Sequence, residues 1–341
     1  MPKEARPVIL VTGGAGYIGS HACKVLAQNG YFPVTYDNLS TGWAEAVKFG
    51  PLVIGDLLDT AALDAVFAEY QPRGVMHFAA LSQVGEATRD PGLYWRNNLG
   101  GSLNLVEAML KAGCRDIVFS STCATYGDQD GVVLTEESAQ RPLNAYGASK
   151  LAVEGVLRDF GRSDGLNAVI FRYFNVAGAD PDAEIGEWHQ PETHLIPAMI
   201  EAVAGAREAL VIHGKDYPTH DGTCIRDYVH VMDLVDAHLR GLRWLEDGRG
   251  SRVFNLGTGV GFSVEEVIRN CRAGTGRRVP HEFGPRRAGD AASLVSGSQR
   301  AQDELGWIAQ RSSLKVMIED AWRWYQTGGY LKQLSERKAE G

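Results

Sequence analysis

The sequence predicts an α/β protein, a doubly wound parallel sheet followed by a smaller mixed α/β region. Three observations carry that prediction. Short apolar runs alternate with helical patterns through the first half of the chain. A glycine-rich turn, Thr-Gly-Gly-Ala-Gly-Tyr-Ile-Gly at 12–19, joins the first strand to the first helix. After Gly178 the alternation breaks into a stretch rich in Pro, Asp, Glu and Gly, residues 179–193. Alternating strands and helices require right-handed crossovers, which a parallel sheet with helices on both faces satisfies.

The elements follow in order. Val8–Thr12 is apolar and stops at glycines, as a buried parallel strand does. A helix is predicted from Tyr17 to Asn29, with Gly30 as its natural end. Strands are predicted at Pro33–Asp37, Leu52–Asp56, Gly74–Ala80, Asp116–Ser121 and Asn167–Asn175. Helical patterns lie between them at Thr60–Tyr70, Pro91–Ala112 and Ala145–Ser163. Residues 1–178 thus read as a nucleotide-binding domain and 179–341 as a substrate domain. The second region mixes short strands (Leu210–Gly214, Arg252–Gly257) with helices. One helix starts at Ser263, with Glu266 three positions on as a capping box. Another, Ser313–Gln326, carries Trp322, Trp324 and Tyr325 as packing residues, and the tail after Leu334 reads as frayed.

The chain has 341 residues, 44% hydrophobic and 22% charged, with a formal charge of −8. That balance argues against a nucleic-acid or anionic-membrane surface, so any phosphate must be held by local groups. No apolar run approaches the ~20 residues of a membrane span, and the first residues lack a signal-peptide core, so the expected location is cytoplasmic. Five scattered cysteines without a Cys-x-x-Cys read as reduced small residues. Nine histidines without a His-x-x-x-His pair predict no metal centre.

Two segments carry chemistry. Gly13, Gly16 and Gly19 sit where a strand turns into a helix, letting the backbone approach a pyrophosphate at free N–H donors. Asp37, 18 residues past Gly19, ends the second strand and suits a ribose diol, while its charge would repel a 2′-phosphate. NAD is therefore expected rather than NADP. Asp56 suits either an adenine amino group or a strand-end cap. The second segment is Tyr-Gly-Ala-Ser-Lys at 146–150. With twelve tyrosines and nine lysines, chance gives about 0.3 Tyr-x-x-x-Lys matches, so the spacing gains meaning from its surroundings. Four residues apart on a helix, Tyr146 and Lys150 share a face, and an ammonium there would lower the phenol's pKa toward a working base. The strand before this helix ends Ser120-Ser121-Thr122, supplying a hydroxyl that can share a substrate proton.

The glycine turn, Phe-Ser-Ser-Thr at 119–122 and Tyr-Gly-Ala-Ser-Lys resemble the extended short-chain dehydrogenase/reductase family, built on a Rossmann sheet. Arg-Tyr-Phe-Asn-Val-Ala-Gly-Ala at 172–179, Gly-Lys-Asp-Tyr-Pro-Thr at 214–219, Arg-Asp-Tyr-Val-His-Val-Met-Asp at 226–233 and Pro-Arg-Arg-Ala-Gly-Asp at 285–290 are similar to its UDP-hexose 4-epimerase branch. The resemblance runs from Val8 to about Tyr325. It implies NAD-dependent epimerisation at C4 of a UDP-sugar (UDP-glucose/UDP-galactose) through a transient 4-keto sugar, with the cofactor retained. It gives Thr122, Tyr146 and Lys150 the proton chemistry. It assigns cofactor contacts to Gly13, Gly16, Tyr17, Ile18, Gly19, Asp37, Asn38, Asp56, Leu57, Phe78, Ala79, Asn97, Ser120, Tyr146, Lys150 and Tyr173. Substrate contacts fall on Thr122, Tyr146, Asn175, His194, Leu195, Arg226, Tyr228, Arg287, Asp290 and Leu294. It also implies a homodimer through the helices near Pro91–Ala112 and Ala145–Ser163.

The chain departs from that pattern in places. Ser82 stands where lysine is common, His194 where asparagine is familiar, and Leu294 where some members place tyrosine. The shorter Leu294 could admit an N-acetyl group, so UDP-N-acetylglucosamine is an alternative substrate. UDP-xylose/UDP-arabinose is another, since a pentose lacks only a hydroxymethyl group. A 4,6-dehydratase would need carboxylates after Thr122, where this chain has Cys123-Ala124. A simple dehydrogenase would depend on added NAD, and a non-catalytic NAD sensor would have no use for Thr122, Tyr146 and Lys150.

Overall fold

In the computed structural model, residues 6–129, 132–287 and 290–330 are described, so the tail after Leu334 lies outside them. In chain order the elements begin β1 (Val8–Thr12), α1 (Tyr17–Gln28), β2 (Phe32–Asp37), β3 (Leu52–Ile54), α2 (Thr60–Tyr70), β4 (Gly74–His77), α3 (Val84–Arg89), α4 (Pro91–Tyr94), α5 (Gly101–Lys111) and β5 (Asp116–Ser120). They continue α6 (Ala145–Asp164), β6 (Asn167–Tyr173), β7 (Asn175–Ala177), α7 (Leu195–Ala204), β8 (Leu210–His213), β9 (Ile225–His230), α8 (Val231–Glu246) and β10 (Arg252–Leu256). The last are β11 (Gly261–Ser263), α9 (Val264–Thr275), β12 (His281–Gly284), β13 (Ser293–Leu294), α10 (Gln299–Leu305) and α11 (Leu314–Gln326).

The main sheet has the order β10-β6-β5-β4-β1-β2-β3, and every pairing from β3 across to β6 is parallel. Strand order reverses at β1, which pairs with β2 on one side and β4 on the other. In such sheets ligands bind beyond the carboxyl ends of the strands at that reversal. Leu10, Val34, Val75, Ile117 and Phe119 fill the sheet's core with Leu63 and Phe67 of α2, Leu105 and Met109 of α5, and Val153 and Leu157 of α6. Each such burial contributes about 1.5–3 kcal/mol.

Two compact units result. The first comprises residues 1–125, 142–172 and 235–254, the second residues 126–141, 173–234 and 255–341. The sequence places one boundary near residue 178, whereas the chain returns to the first unit to supply most of α8 and the start of β10. Arg252–Leu256 therefore edges the main sheet beside β6, a placement that short-range patterning does not reveal. In the second unit β7, β11 and β13 all pair with β9, and β8 pairs with β12. Its core joins Met199 and Val203 of α7, Val267 and Ile268 of α9, and Met317 and Ile318 of α11. The Ser263 capping box is present, and Ser313 caps α11. Trp324 is buried against Tyr330, while Trp322 and Tyr325 pack on the second core, as their spacing predicts.

Candidate active site

The glycine turn closes tightly. Gly16 N–H donates to the Gly13 carbonyl at 3.1 Å, and Gly13 N–H to the Tyr36 carbonyl at 2.9 Å. A Cβ at Gly19 would lie 2.2 Å from the Gly13 oxygen, so only glycine lets α1 approach the turn this closely. No side chain caps α1, and no acid sits in its first turn. An uncapped helix start behind a bare glycine turn is a ready anion site, so these residues fit the pyrophosphate of NAD. Asp37, 8% exposed, closes the second strand with Oδ2 accepting from Ala15 N–H (3.0 Å) and Oδ1 from Leu39 N–H (2.8 Å). Burial raises its pKa, and those two amides pull it back. Each oxygen keeps a lone pair for a ribose hydroxyl. Asp56 lies two residues past β3, where Oδ1 accepts from Leu58 N–H at 2.8 Å and Oδ2 from Asn38 Nδ2 at 2.8 Å, so it serves as a turn cap as well as a candidate contact. Leu57 gives its carbonyl to Asn104 (3.0 Å), while the Phe78 and Ala79 amides both reach the Thr12 carbonyl across the reversal point.

The proton pair is built on α6. Asn144 caps that helix, its Oδ1 accepting from Gly147 N–H at 3.0 Å. A Cβ at Gly147 would lie 2.5 Å from the Ala124 carbonyl oxygen, so this glycine lets α6 close on the loop after β5. The Thr122 hydroxyl lies close enough to the Tyr146 phenol to pull its pKa down, and Thr122 Oγ1 accepts from Ala124 N–H at 3.1 Å. Lys150 is buried, its Nζ donating to the Ser120 carbonyl at 2.8 Å and lying 4.8 Å from the Phe119 ring centre. The electrostatics differ from the expectation. Burial raises the Tyr146 pKa, and the Thr122 hydrogen bond only partly offsets it. Lys150 is itself brought down to about 7 by burial, against the pull of Glu154. Desolvation works against the charged form of both groups, so spacing alone does not report the direction in which the phenol's pKa moves.

Three buried features support this pair and escape motif reading. Glu154, one turn past Lys150, accepts Ser121 Oγ at 2.5 Å and the Arg172 guanidinium through both oxygens, at 2.9 and 2.5 Å. Asn98 lies in a π-helical stretch, Trp95–Gly100, between α4 and α5. Its side chain holds both the N–H and the carbonyl of Leu81 and donates to Ser149 Oγ (3.1 Å), while Asn97 donates to it at 3.0 Å. Such widened turns recur at functional sites. His77 bridges Thr12 Oγ1 (2.7 Å) and Ser102 Oγ (2.8 Å). Ser102 spends its proton on the Asn98 carbonyl at 2.5 Å, so His77 donates from Nε2, and a neutral ring then accepts from Thr12 at Nδ1.

Burial, helped by the Lys150 charge, holds the His77 pKa down to about 3. The unfolded chain protonates near 6.5, so between those values it binds more protons than the folded one. Stability therefore falls as pH drops through that window, by about 2 kcal/mol at pH 5 from this ring. Chemical unfolding of wild type and His77→Gln at pH 7 and 5 should show that extra loss only in wild type. Equal losses would refute the neutral ring.

In the second unit Asn175 of β7 pairs with Tyr228 of β9, and Leu294 of β13 pairs with Arg226. Arg226 is largely committed: Nη1 donates to the Ile225 and Ala291 carbonyls and Nη2 to Asp290 Oδ1 at 2.6 Å. The expected phosphate fork and the expected acid are thus partners of each other. Arg287 is exposed; the intervening residues 288 and 289 of its motif lie outside the described ones. Tyr173 and Tyr228 are buried, and burial raises the Tyr228 phenol further. Leu195 opens α7, with His194 as its N-cap.

Known proteins share this arrangement. Residues 9–257 match the NAD dependent epimerase/dehydratase family. The UDP-glucose 4-epimerase of Rhizobium meliloti (strain 1021) is 49% identical over 317 residues, 93% of this chain and 96% of that one. The crystal structure of UDP-glucose 4-epimerase from Brucella ovis in complex with NAD superposes with a TM-score of 0.90 at 46% identity, covering 93% of this chain and 98% of that one. The Stenotrophomonas maltophila enzyme, solved with bound NAD and formylated UDP-arabinopyranose, gives a TM-score of 0.91 at 40% identity over 95% and 99% of the two chains. The chain belongs to the NAD dependent epimerase/dehydratase family.

Proposed function

We propose that the protein interconverts UDP-glucose and UDP-galactose by epimerisation at C4, with NAD retained through the cycle. The observation that carries this reading is the placement of Tyr146 and Lys150 one turn apart on α6, with Lys150 Nζ held on the Ser120 carbonyl beside Thr122 and an uncapped glycine cradle in the same unit. Bound NAD supplies a reversible hydride acceptor for C4 and, when oxidised, a positive charge. Tyr146 Oη takes the proton from the C4 hydroxyl and returns it, with Thr122 Oγ1 sharing it. The Lys150 ammonium has donors to spare beyond Ser120 and reaches a cofactor ribose. Gly13, Gly16, Tyr17, Ile18 and Gly19 hold the pyrophosphate; Asp37, Asn38, Asp56 and Leu57 take the adenosine; Phe78, Ala79, Asn97, Ser120 and Tyr173 line the remainder. For the UDP-sugar, Arg287 offers a free fork to the diphosphate, Arg226 works with Asp290, and Asn175, His194, Leu195, Tyr228 and Leu294 complete the contacts.

Incubating the purified chain with UDP-glucose and no added cofactor should yield UDP-galactose on chromatography. Strict dependence on added NAD, with reduced cofactor accumulating, would point instead to a dehydrogenase. Leu294→Tyr reports on the sugar pocket: if Leu294 sets its width, turnover of UDP-N-acetylglucosamine relative to UDP-glucose falls at least about tenfold. An unchanged ratio removes Leu294 from the pocket.

The reading extends to a cytoplasmic homodimer. Cys23, Cys114, Cys123, Cys224 and Cys271 are free thiols, as in a reducing compartment, and no described helix is long and apolar enough to cross a membrane. Exposed Trp95, with half-buried Leu99, Leu103, Leu151 and Val156, supplies apolar surface on the helices expected to pair. Light scattering should give twice the chain mass, falling to a single mass in Trp95→Glu; one chain mass for wild type would rule the dimer out.

A further inference from the structure

The absence of a His-x-x-x-His pair argues against a metal centre, yet folding brings four candidate ligands together from a different spacing. Glu187, His189, Glu192 and His194 occupy the segment just ahead of α7, and one ligand atom from each lies within 4.8 Å of the others. His194 Nδ1 is 3.0 Å from Glu192 Oε1 and 3.2 Å from Glu187 Oε1. His189 Nδ1 is 3.3 Å from Glu192 Oε2 and 3.5 Å from Glu187 Oε1. A tetrahedral zinc ion with bonds near 2.1 Å has ligand-to-ligand edges of about 3.4 Å, the same range. Both imidazoles turn Nδ1 inward, with ring centres 4.9 Å apart and planes inclined 46°, as ligands converging on one centre do.

We propose that these four side chains bind one zinc ion, which fixes the segment leading into α7. Two imidazoles and two carboxylates are a borderline-hard set suited to zinc, and the two carboxylates neutralise a dication. Glu187 and Glu192 are 8% and 2% exposed, and the basic side chains bridged to them are these same two histidines. The surroundings are organised as a metal site's usually are. Glu192 Oε1 is aimed by the Thr193 and His194 amides, both at 2.7 Å. The Glu192 carbonyl is held by Arg207 Nη2 at 2.7 Å, and Arg207 is anchored in turn to Glu201 at 2.9 Å. The positive end of α7 opposes a cation here, but it amounts to about half a charge against two carboxylates. The ion would serve as a clamp, leaving Nε2 of His194, on a ring 44% exposed, facing outward.

The competing explanation is a set of ion pairs made by protonated histidine, and direct titration separates the two. The full chain is stripped with a chelator, exchanged into metal-free buffer and titrated with zinc chloride against a chromophoric zinc chelator. One zinc per chain is expected, with His189→Ala and Glu187→Gln each weakening binding at least about 100-fold. His220→Ala, whose histidine pairs elsewhere with Asp221, should bind as wild type does. Cobalt in place of zinc should give the strong visible bands of a tetrahedral site in wild type and lose them in His189→Ala. Thermal unfolding with and without zinc serves as a folding control, the midpoint rising in wild type and not in either variant. Wild type that binds no zinc at about 10 µM free metal, or binds it no better than both variants, overturns the proposal. Because the readout is metal rather than turnover, the result stands apart from the epimerase reading.

Discussion

Tyr146→Phe should lower turnover of UDP-glucose by about 10²–10⁴-fold while its affinity for the nucleotide sugar stays within about threefold. The substitution keeps the aromatic ring and removes one O–H group, the group whose pKa the Thr122 hydroxyl pulls down. Thr122 Oγ1 retains Ala124 N–H, so the loop after β5 keeps its shape. What disappears is the oxygen that carries the proton of the C4 hydroxyl in both directions. Steady-state kinetics by chromatography, with calorimetric binding of UDP-glucose, measures both quantities. Turnover like wild type in the variant would remove Tyr146 from the mechanism. An equal collapse of binding would show that it positions the sugar instead.

The second large effect lies beneath the first. Arg172→Met should destabilise the protein by about 3–5 kcal/mol, because it strands the Glu154 carboxylate in the core. Glu154 is 0% exposed and Arg172 3%, and the bidentate pair is joined by the Ser121 hydroxyl at the end of β5. Replacing both partners, Arg172→Met with Glu154→Leu, should recover most of that loss, since a buried ion pair exchanged for apolar groups is often neutral. Urea unfolding at pH 7 on the three proteins decides it. If the double variant is as unstable as Arg172→Met alone, the stranded charge is not the cause. Activity should recover less than stability, because Glu154→Leu removes the anchor of Ser121, next to Thr122.

The sequence made the first unit readable where the signal was local. β1 and α2 begin and end where patterning puts them, and Ser263 and Ser313 cap the helices they were expected to start. The glycine turn, Asp37 and the Tyr146–Lys150 spacing likewise needed only neighbours in the chain to be recognised. Long-range placements were harder. β10 belongs to the first sheet although it follows β9 of the second unit, and nothing within Arg252–Leu256 encodes that. Glu154 and Arg172 lie 18 residues apart on different elements, and only packing makes them a pair. The π-helical stretch around Asn98 is hidden because its sequence, Trp-Arg-Asn-Asn-Leu-Gly, carries no break signal. Tyr146 shows the opposite limit: its partners were foreseen, but the direction of its pKa shift depends on burial, which spacing does not report.

The return of residues 235–254 to the first unit has a consequence for how the chain is made. On the ribosome, β6 emerges with one side of its hydrogen-bonding ladder open, and the strand that covers it is still some eighty residues from synthesis. Until β10 arrives, β6 is a bare sheet edge able to recruit any extended segment nearby. Chains released early, for example by a stop codon near residue 200, should therefore aggregate rather than accumulate as a folded nucleotide-binding half.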